Sequence, residues 1–453
     1  MANLNKKVQP IYTHEGARAS HINPELQLRR SVMSCLLFEK GFYESGVEIS
    51  ERIKSLIPLV DPKTCGKIAV EAREKAGLRH VPLLILREMA RLPTHRRYVS
   101  RGLQRVITRP DQMTDFLALY WETNLSNKMD DNKRGIKRKT LSAKVKDGLG
   151  RVFCKFNEYE LRKNAHSDRA VKLRDVLFLT HAKPRDEAQA EMWKRLIAGE
   201  MKPIDTWETA LSGGADKKET FHRLMIEDKL GALAFVRNLR NMHEAGCSMG
   251  IIADYATRID VSKVFPWQFI AAAKFAPWYE SVLESCMLRS LAGRQKLLGK
   301  TVLLIDHSGS MDGKLSEKGE MQYSDAAAGV AMMLRELCDD VNIYTFSEQT
   351  VFIPPRRGFA LRDAIRGSQP MGGTYLGQSI TDVTKHEKTW DRLIVITDEQ
   401  SHDKVVFPNI GKQYVVNVAS NKNGVGYGQV SHVDGFSSHI LDWIREDEEL
   451  TGV

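Results

Sequence analysis

In Lys300-Thr-Val-Leu-Leu-Ile-Asp306-His-Ser308-Gly-Ser310-Met311 an apolar run drops straight into three oxygen-bearing side chains at alternating positions. A short apolar run followed by turn residues reads as a buried parallel strand, and open α/β sheets bind ligands at the carboxyl ends of their strands. Gly309 allows the sharp turn that aims Ser308 and Ser310 at one point. A carboxylate with small hydroxyls suits a hard divalent cation that keeps several waters, hence magnesium or manganese rather than zinc. Two downstream segments repeat the design. Met371-Gly-Gly-Thr374 places a hydroxyl on a loop, and Asp391-Arg-Leu-Ile-Val-Ile-Thr397-Asp398 is a second apolar strand ending in a carboxylate.

The order Asp-x-Ser-x-Ser, then Thr, then Asp resembles the metal-ion-dependent adhesion site of von Willebrand factor A domains. All five positions match: Asp306, Ser308, Ser310, Thr374 and Asp398. The resemblance implies one Mg2+ or Mn2+ ion, with the serines and threonine coordinating it and the aspartates binding directly or through water. The bland reading is that Ser308 and Ser310 only cap the next helix.

Elements must hold these residues, and length and charge constrain them. A chain of 453 residues should fold as two or more domains. Residues 300–453 carry 15 Lys and Arg against 22 Asp and Glu, a net of −7, whereas residues 1–299 carry 52 against 35, a net of +17. A basic module is thus joined to an acidic one, and the basic one is expected to meet a polyanion, nucleic acid first. The six cysteines, Cys35, Cys65, Cys154, Cys247, Cys286 and Cys338, form no Cys-x-x-Cys pair and read as small core residues of a reducing compartment. No signal peptide and no run of about 18 apolar residues is visible, so a soluble, cytoplasmic chain is expected. No phosphate-binding glycine loop is present.

From about residue 24 to 295 the pattern reads as short helices. The spacing predicts helices over Leu26–Leu37, Ile49–Ile57, from Pro62, over Leu83–Leu92, Met113–Trp121, Leu141–Phe156, Leu173–Thr180, Glu191–Ala198, Thr220–Glu244 and Trp267–Leu291. Helices this short, joined by Pro, Asp and Gly, suggest a solenoid of stacked pairs, inferred from element lengths because no sequence period is visible. Within it Lys133, Arg134, Lys137, Arg138, Lys139, Lys144 and Lys146 form a cationic ridge, continued by Lys155, Arg162, Lys163, His166, Arg169, Lys172, Arg174, His181, Lys183 and Arg185. Such density can neutralise several phosphates, and the interleaved Phe153, Phe156 and Tyr159 could stack on bases or pack in the core.

Gly135-Ile-Lys-Arg, Lys155-Phe156, Leu173-Arg-Asp-Val-Leu-Phe-Leu-Thr-His181-Ala-Lys183-Pro184, Phe235-Val-Arg-Asn-Leu-Arg-Asn-Met242 and Val264-Phe-Pro-Trp-Gln-Phe269 together resemble the Ro autoantigen family, most closely its bacterial members. The resemblance implies a ring-shaped, all-α TROVE domain of HEAT-like repeats over residues 14–296. A doubly wound α/β von Willebrand factor A domain over 298–453 would follow. It further implies a non-enzymatic RNA-binding protein of a small ribonucleoprotein, monomeric apart from RNA. Y RNA-like noncoding RNAs would lie on the outer surface, and single-stranded 3′ ends of misfolded RNAs would pass through the ring for quality control. A 3′ to 5′ exoribonuclease such as polynucleotide phosphorylase is the implied protein partner. Lys155-Phe156, His181 and Lys183-Pro184 match the family's RNA-contact motif, while its Arg has no aligned position and Arg162 or Lys163 stands nearest. Two rival readings are a protein-binding adaptor, which has no need of +17 on its helical half, and a metal-dependent phosphatase or nuclease. Against the latter, one cation site is visible where phosphoryl transfer often uses two.

Overall fold

The computed structural model describes residues 9–33, 44–122, 140–165, 171–202, 204–315, 319–428, 430–435 and 439–451. By packing, the chain forms two compact units, Ser50–Asp205 on one hand and Met1–Ile49 with Thr206–Val453 on the other.

The Ser50–Asp205 unit is all-helical. Asp61 accepts a hydrogen bond from the Thr64 amide and so starts the helix Pro62–Glu74. Val81–Arg91, Val99–Val106, Ala143–Phe153 and Leu173–Thr180 pack on one another through their apolar faces. Phe153 is fully buried edge-on to Trp193, and Phe156 is also buried, so both aromatics belong to the core. Cys65 is buried and Cys154 half-buried.

In the second unit a six-stranded sheet has the order β5-β4-β3-β6-β7-β8, with β3 Leu297–Asp306, β4 Cys338–Phe346, β5 Thr350–Ile353, β6 Arg392–Thr397, β7 Lys412–Asn417 and β8 Ser431–Asp434. A separate hairpin pairs β1 Ile11–Tyr12 with β2 Arg18–Ala19. All neighbours in the large sheet are parallel except β4 and β5. The alternation of a strand sends Leu303 and Ile305 to one face and Val302 and Leu304 to the other. The first face meets helices Tyr323–Leu337 and Gly358–Arg366, and the second meets Leu376–His386. Burial on both faces explains why these strands are continuously apolar. The expected doubly wound domain is present.

The same core continues into Phe221, Leu239, Phe269, Leu283 and Met287, so helices between residues 217 and 291 share apolar packing with the sheet's covering helices. Two of the long helices expected here are broken. Thr220–Glu244 is two helices, Lys217–Ile226 and Ala232–Glu244, separated where Asp228 takes a left-handed conformation, φ 54°. Trp267–Leu291 is interrupted after Phe275 because Pro277 lacks the amide a continuous helix needs, leaving Pro266–Phe275, a 3-10 turn Pro277–Tyr279 and Glu280–Leu291. Leu173–Thr180 has its expected limits, whereas Glu187–Ala198 starts one turn earlier than its apolar residues suggested, at the Asp186 cap. Val99–Val106, Trp207–Ser212 and Met249–Arg258 are helices the periodicity did not single out.

Candidate metal centre and basic surface

β3 and β6 lie side by side at the point where the chain order reverses, so Asp306, and Asp398 just beyond Thr397, stand at neighbouring strand ends. The Ser308 amide donates to Asp306 Oδ1 at 2.9 Å, and the Thr397 hydroxyl donates to Asp306 Oδ2. Ser308 and Ser310 hydroxyls are 3.2 Å apart. Ser310 also hydrogen-bonds Asp398, whose Oδ1 accepts from the Gln400 amide at 3.0 Å. The loop carrying Thr374 is brought in by the Gly309 amide, 2.8 Å from the Gly372 carbonyl, and by the Ser347 hydroxyl, which accepts from the Gly372 amide and donates to the Gly373 carbonyl. The Thr374 amide donates to His402 Nδ1 at 3.0 Å. All five residues are buried.

Burial pushes the Asp306 carboxyl above the usual carboxylate range, with hydrogen bonds from Ser308 and Thr397 opposing it. Asp398 is pushed up by burial and then by the charge of Asp306. Two carboxylates so close in a dry setting resist being charged together unless a cation joins them. The donor set is oxygen throughout, and the residues fit a hard divalent cation. His307, between the two ligand positions, is buried with its ring against the backbone of Gln369 and Arg366.

Thr397, Gln400, His402 and Ser347 support this site through hydrogen bonds that the ligand motif does not include. Thr397 was legible as the last polar strand residue before Asp398; the others come from loops with no local signal.

The cationic residues fall into four groups. Lys133, Arg134, Lys137, Arg138 and Lys139 lie outside the described residues. Lys155 is open along its stem, but its ammonium donates to the carbonyls of Gln104 and Ile107, at 3.0 Å to the latter, closing the end of the helix Val99–Val106. Desolvation lowers its pKa. His181 and Lys183 are exposed, with His181 holding the left-handed cap, φ 53°, of Leu173–Thr180. Their loop is brought beside Lys155 by Cys154, whose thiol meets the Lys183 carbonyl at 3.4 Å. Arg162 and Lys163 end the short helix Glu158–Lys163, where Lys163 Nζ lies 5.9 Å from the centre of the half-exposed Tyr159 ring.

A helical part joined to a doubly wound sheet with these five oxygen-bearing residues at its carboxyl edge defines a protein built around a von Willebrand factor A domain. Comparison with known families gives the particular one: residues 300–410 match the Ro60 vWA domain and residues 186–285 match the TROVE domain. The chain thus carries a TROVE match followed by a Ro60 vWA match, the two domains that the sequence resemblance led one to expect. Its fold is similar to the crystal structure of Deinococcus radiodurans RO (RSR) protein, with TM-score 0.56 and 16% identity over 92% of this chain and 97% of that one. No curated protein matches the chain. No helix among the described residues is long and apolar enough to cross a membrane.

Proposed function

We propose that this Ro-family RNA-binding protein holds Y RNA-like noncoding RNAs on its basic helical half and takes single-stranded 3′ ends of misfolded RNAs, serving RNA quality control without catalysing a reaction itself. The observation that carries the reading is the charge division, +17 on residues 1–299 against −7 beyond, on a chain whose basic part contains the TROVE match. Exposed His181 and Lys183, beside Lys155, supply positional support. Phosphate contacts of this kind select by backbone and shape more than by base sequence.

Asp306, Ser308, Ser310, Thr374 and Asp398 would hold one Mg2+ or Mn2+. The ion would supply a Lewis-acidic position open to a partner's carboxylate, such as one from a 3′ to 5′ exoribonuclease. Thr397 and the Ser308 amide orient Asp306, and the Gln400 amide orients Asp398.

Purifying the protein from its own cells and sequencing the RNA that accompanies it tests the reading directly. Small structured RNAs are expected, and protein free of RNA would overturn it. Incubation of magnesium-loaded protein with labelled RNA separates the rivals, since a shifted intact RNA marks a binder and a cleaved one a nuclease. Neutralising Lys133, Arg134, Lys137 and Arg138 together should flatten the dependence of log affinity on log salt.

A further inference from the structure

We propose that Trp278 and Phe275 form a base-stacking platform for single-stranded RNA, flanked by Arg237 and Arg240 as phosphate contacts. The inference rests on the RNA-binding function proposed above and names a place for it outside the motif residues Lys155, His181 and Lys183.

Trp278 is 54% exposed and Phe275 42%, although large aromatics normally bury most of their surface. Both follow from the helix break at Pro277, which turns the two rings out of the core while Tyr279 stays buried within it. The indole is held in place. It lies parallel to the His243 ring, with centroids 4.2 Å apart and planes inclined by 6°, and His243 in turn meets buried Tyr279 edge-on at 5.9 Å. Phe275 carries the Arg240 guanidinium 5.5 Å from its ring centre. A single exposed ring would mean little, but two rings, one stacked on His243 and the other carrying Arg240, with exposed Arg237 one turn before Arg240 on the same helix, match what single strands require: flat surfaces for bases and positive charge for the backbone.

Charge favours RNA over an apolar protein segment. Helices Ala232–Glu244 and Pro266–Phe275 carry Arg237, Arg240 and Lys274 against Glu244, while nearby Glu280 and Glu320 are each met by a cation, Arg362 and Lys314. Lys274 is engaged by buried Asp325, which leaves Arg237 and Arg240 as the exposed cations. Arg240 lies 3.7 Å from Glu244 in a solvent-exposed pair, a contact weak enough for a phosphate to displace.

The test uses the full-length protein and a fluorescein-labelled uridine decamer. Trp278→Ala and Phe275→Ala should each weaken binding about ten-fold without changing the slope of log affinity against log salt, because stacking releases no counterions. Trp278→Phe should keep most of the affinity. Arg237→Gln with Arg240→Gln should flatten the slope. A 5-bromouridine decamer should crosslink to the peptide containing residues 275–278, a readout that does not depend on any variant. Wild-type affinity in both alanine variants, or crosslinks absent from that peptide while the protein binds RNA, would overturn the platform and leave the RNA function standing. A wild-type protein that binds no RNA at all would overturn both.

Discussion

Arg30, on the N-terminal helix Pro24–Met33, donates to Glu399, the residue after the candidate cation ligand Asp398, and both side chains are fully buried. The guanidinium also donates to the carbonyls of Asn421 and Asn423, the latter at 3.0 Å, and to the Tyr427 hydroxyl at 3.1 Å. His432 meets the other Glu399 oxygen at 2.8 Å. Gly424 is required beside them, since a Cβ there would run into Glu399 and Arg30. Glu399 itself sits at φ 62°, a conformation that a non-glycine residue keeps only when its surroundings fix it.

Arg30→Met should therefore destabilise the protein by about 3–5 kcal/mol, the usual cost of stranding one member of a buried ion pair. Urea unfolding measures it, and adding Glu399→Gln should recover part of the loss. A cost near zero would mean that water reaches Glu399.

The N-terminal segment is also stitched to the loop that follows the candidate ligand Asp398. Thr13 and Ala17 donate to the Ser401 carbonyl at 2.9 and 3.0 Å, the His14 amide donates to Gln400 Oε1 at 2.8 Å, and Glu15 meets His402 at 2.8 Å. A fragment of residues 298–453 alone should unfold at lower urea concentration than the whole chain and take up less magnesium. Supplying residues 9–33 on a flexible linker is expected to restore part of its stability. An isolated fragment as stable as the intact protein would show these contacts to be dispensable.

Acid should weaken the sheet through Glu387. Burial opposes its charge, but Lys300 at 2.7 Å, with hydrogen bonds from Tyr344 and Asn342 at 2.7 Å each, holds its pKa below the ordinary value. A depressed folded pKa means that the stabilisation is fully present above the unfolded value of about 4.3 and disappears as pH falls through the folded one. Glu387→Gln should lower stability at pH 7 and flatten its decline on acidification. Parallel acid limbs in variant and wild type would contradict the assignment.

Replacing Asp306 with Ala removes a carboxylate of the proposed cation site, so calorimetric magnesium binding should be lost while RNA affinity persists. His307→Ala is expected to keep the ion, because the ring lies against the backbone of Gln369 and Arg366. Intact magnesium binding in Asp306→Ala would show the site misassigned. Loss of RNA binding in a folded Asp306→Ala protein would tie the metal to RNA recognition.

Lys155 and His181 should part company. Lys155→Ala strands two helix-end carbonyls and should cost about 1 kcal/mol of stability in addition to any RNA affinity, whereas exposed His181→Asn, which keeps the left-handed cap, should affect RNA binding alone. Urea melts beside filter binding distinguish the two, and equal melts would deny Lys155 its capping role.

The clustering of the five candidate ligands was largely legible because its signals are local. An apolar strand ending in Asp306 and another ending before Asp398 announce neighbouring strand ends, and alternating Ser308 and Ser310 announce a turn between them. The supports of the site were hidden because they depend on distant partners. Nothing around Arg30 distinguishes it from adjacent Arg29, yet only Arg30 faces Glu399. Helical spacing across Thr220–Glu244 and Trp267–Leu291 continues through the breaks, since apolar residues on both sides enter the same core. Pro277 was the available sign of the second break, and its consequence, two outward-facing rings, needed the three-dimensional arrangement.

The seat of Arg30 also sets an order of events during synthesis. The residues that receive it lie 369 positions or more downstream, so at about 5–20 residues per second the N-terminal helix waits roughly 20 to 70 seconds before its counterpart emerges from the ribosome. A chain truncated before residue 399 carries a helix with no place to dock and an arginine with no carboxylate to meet. Joining of the two distant ends thus reports that translation has run through to the last strands of the sheet.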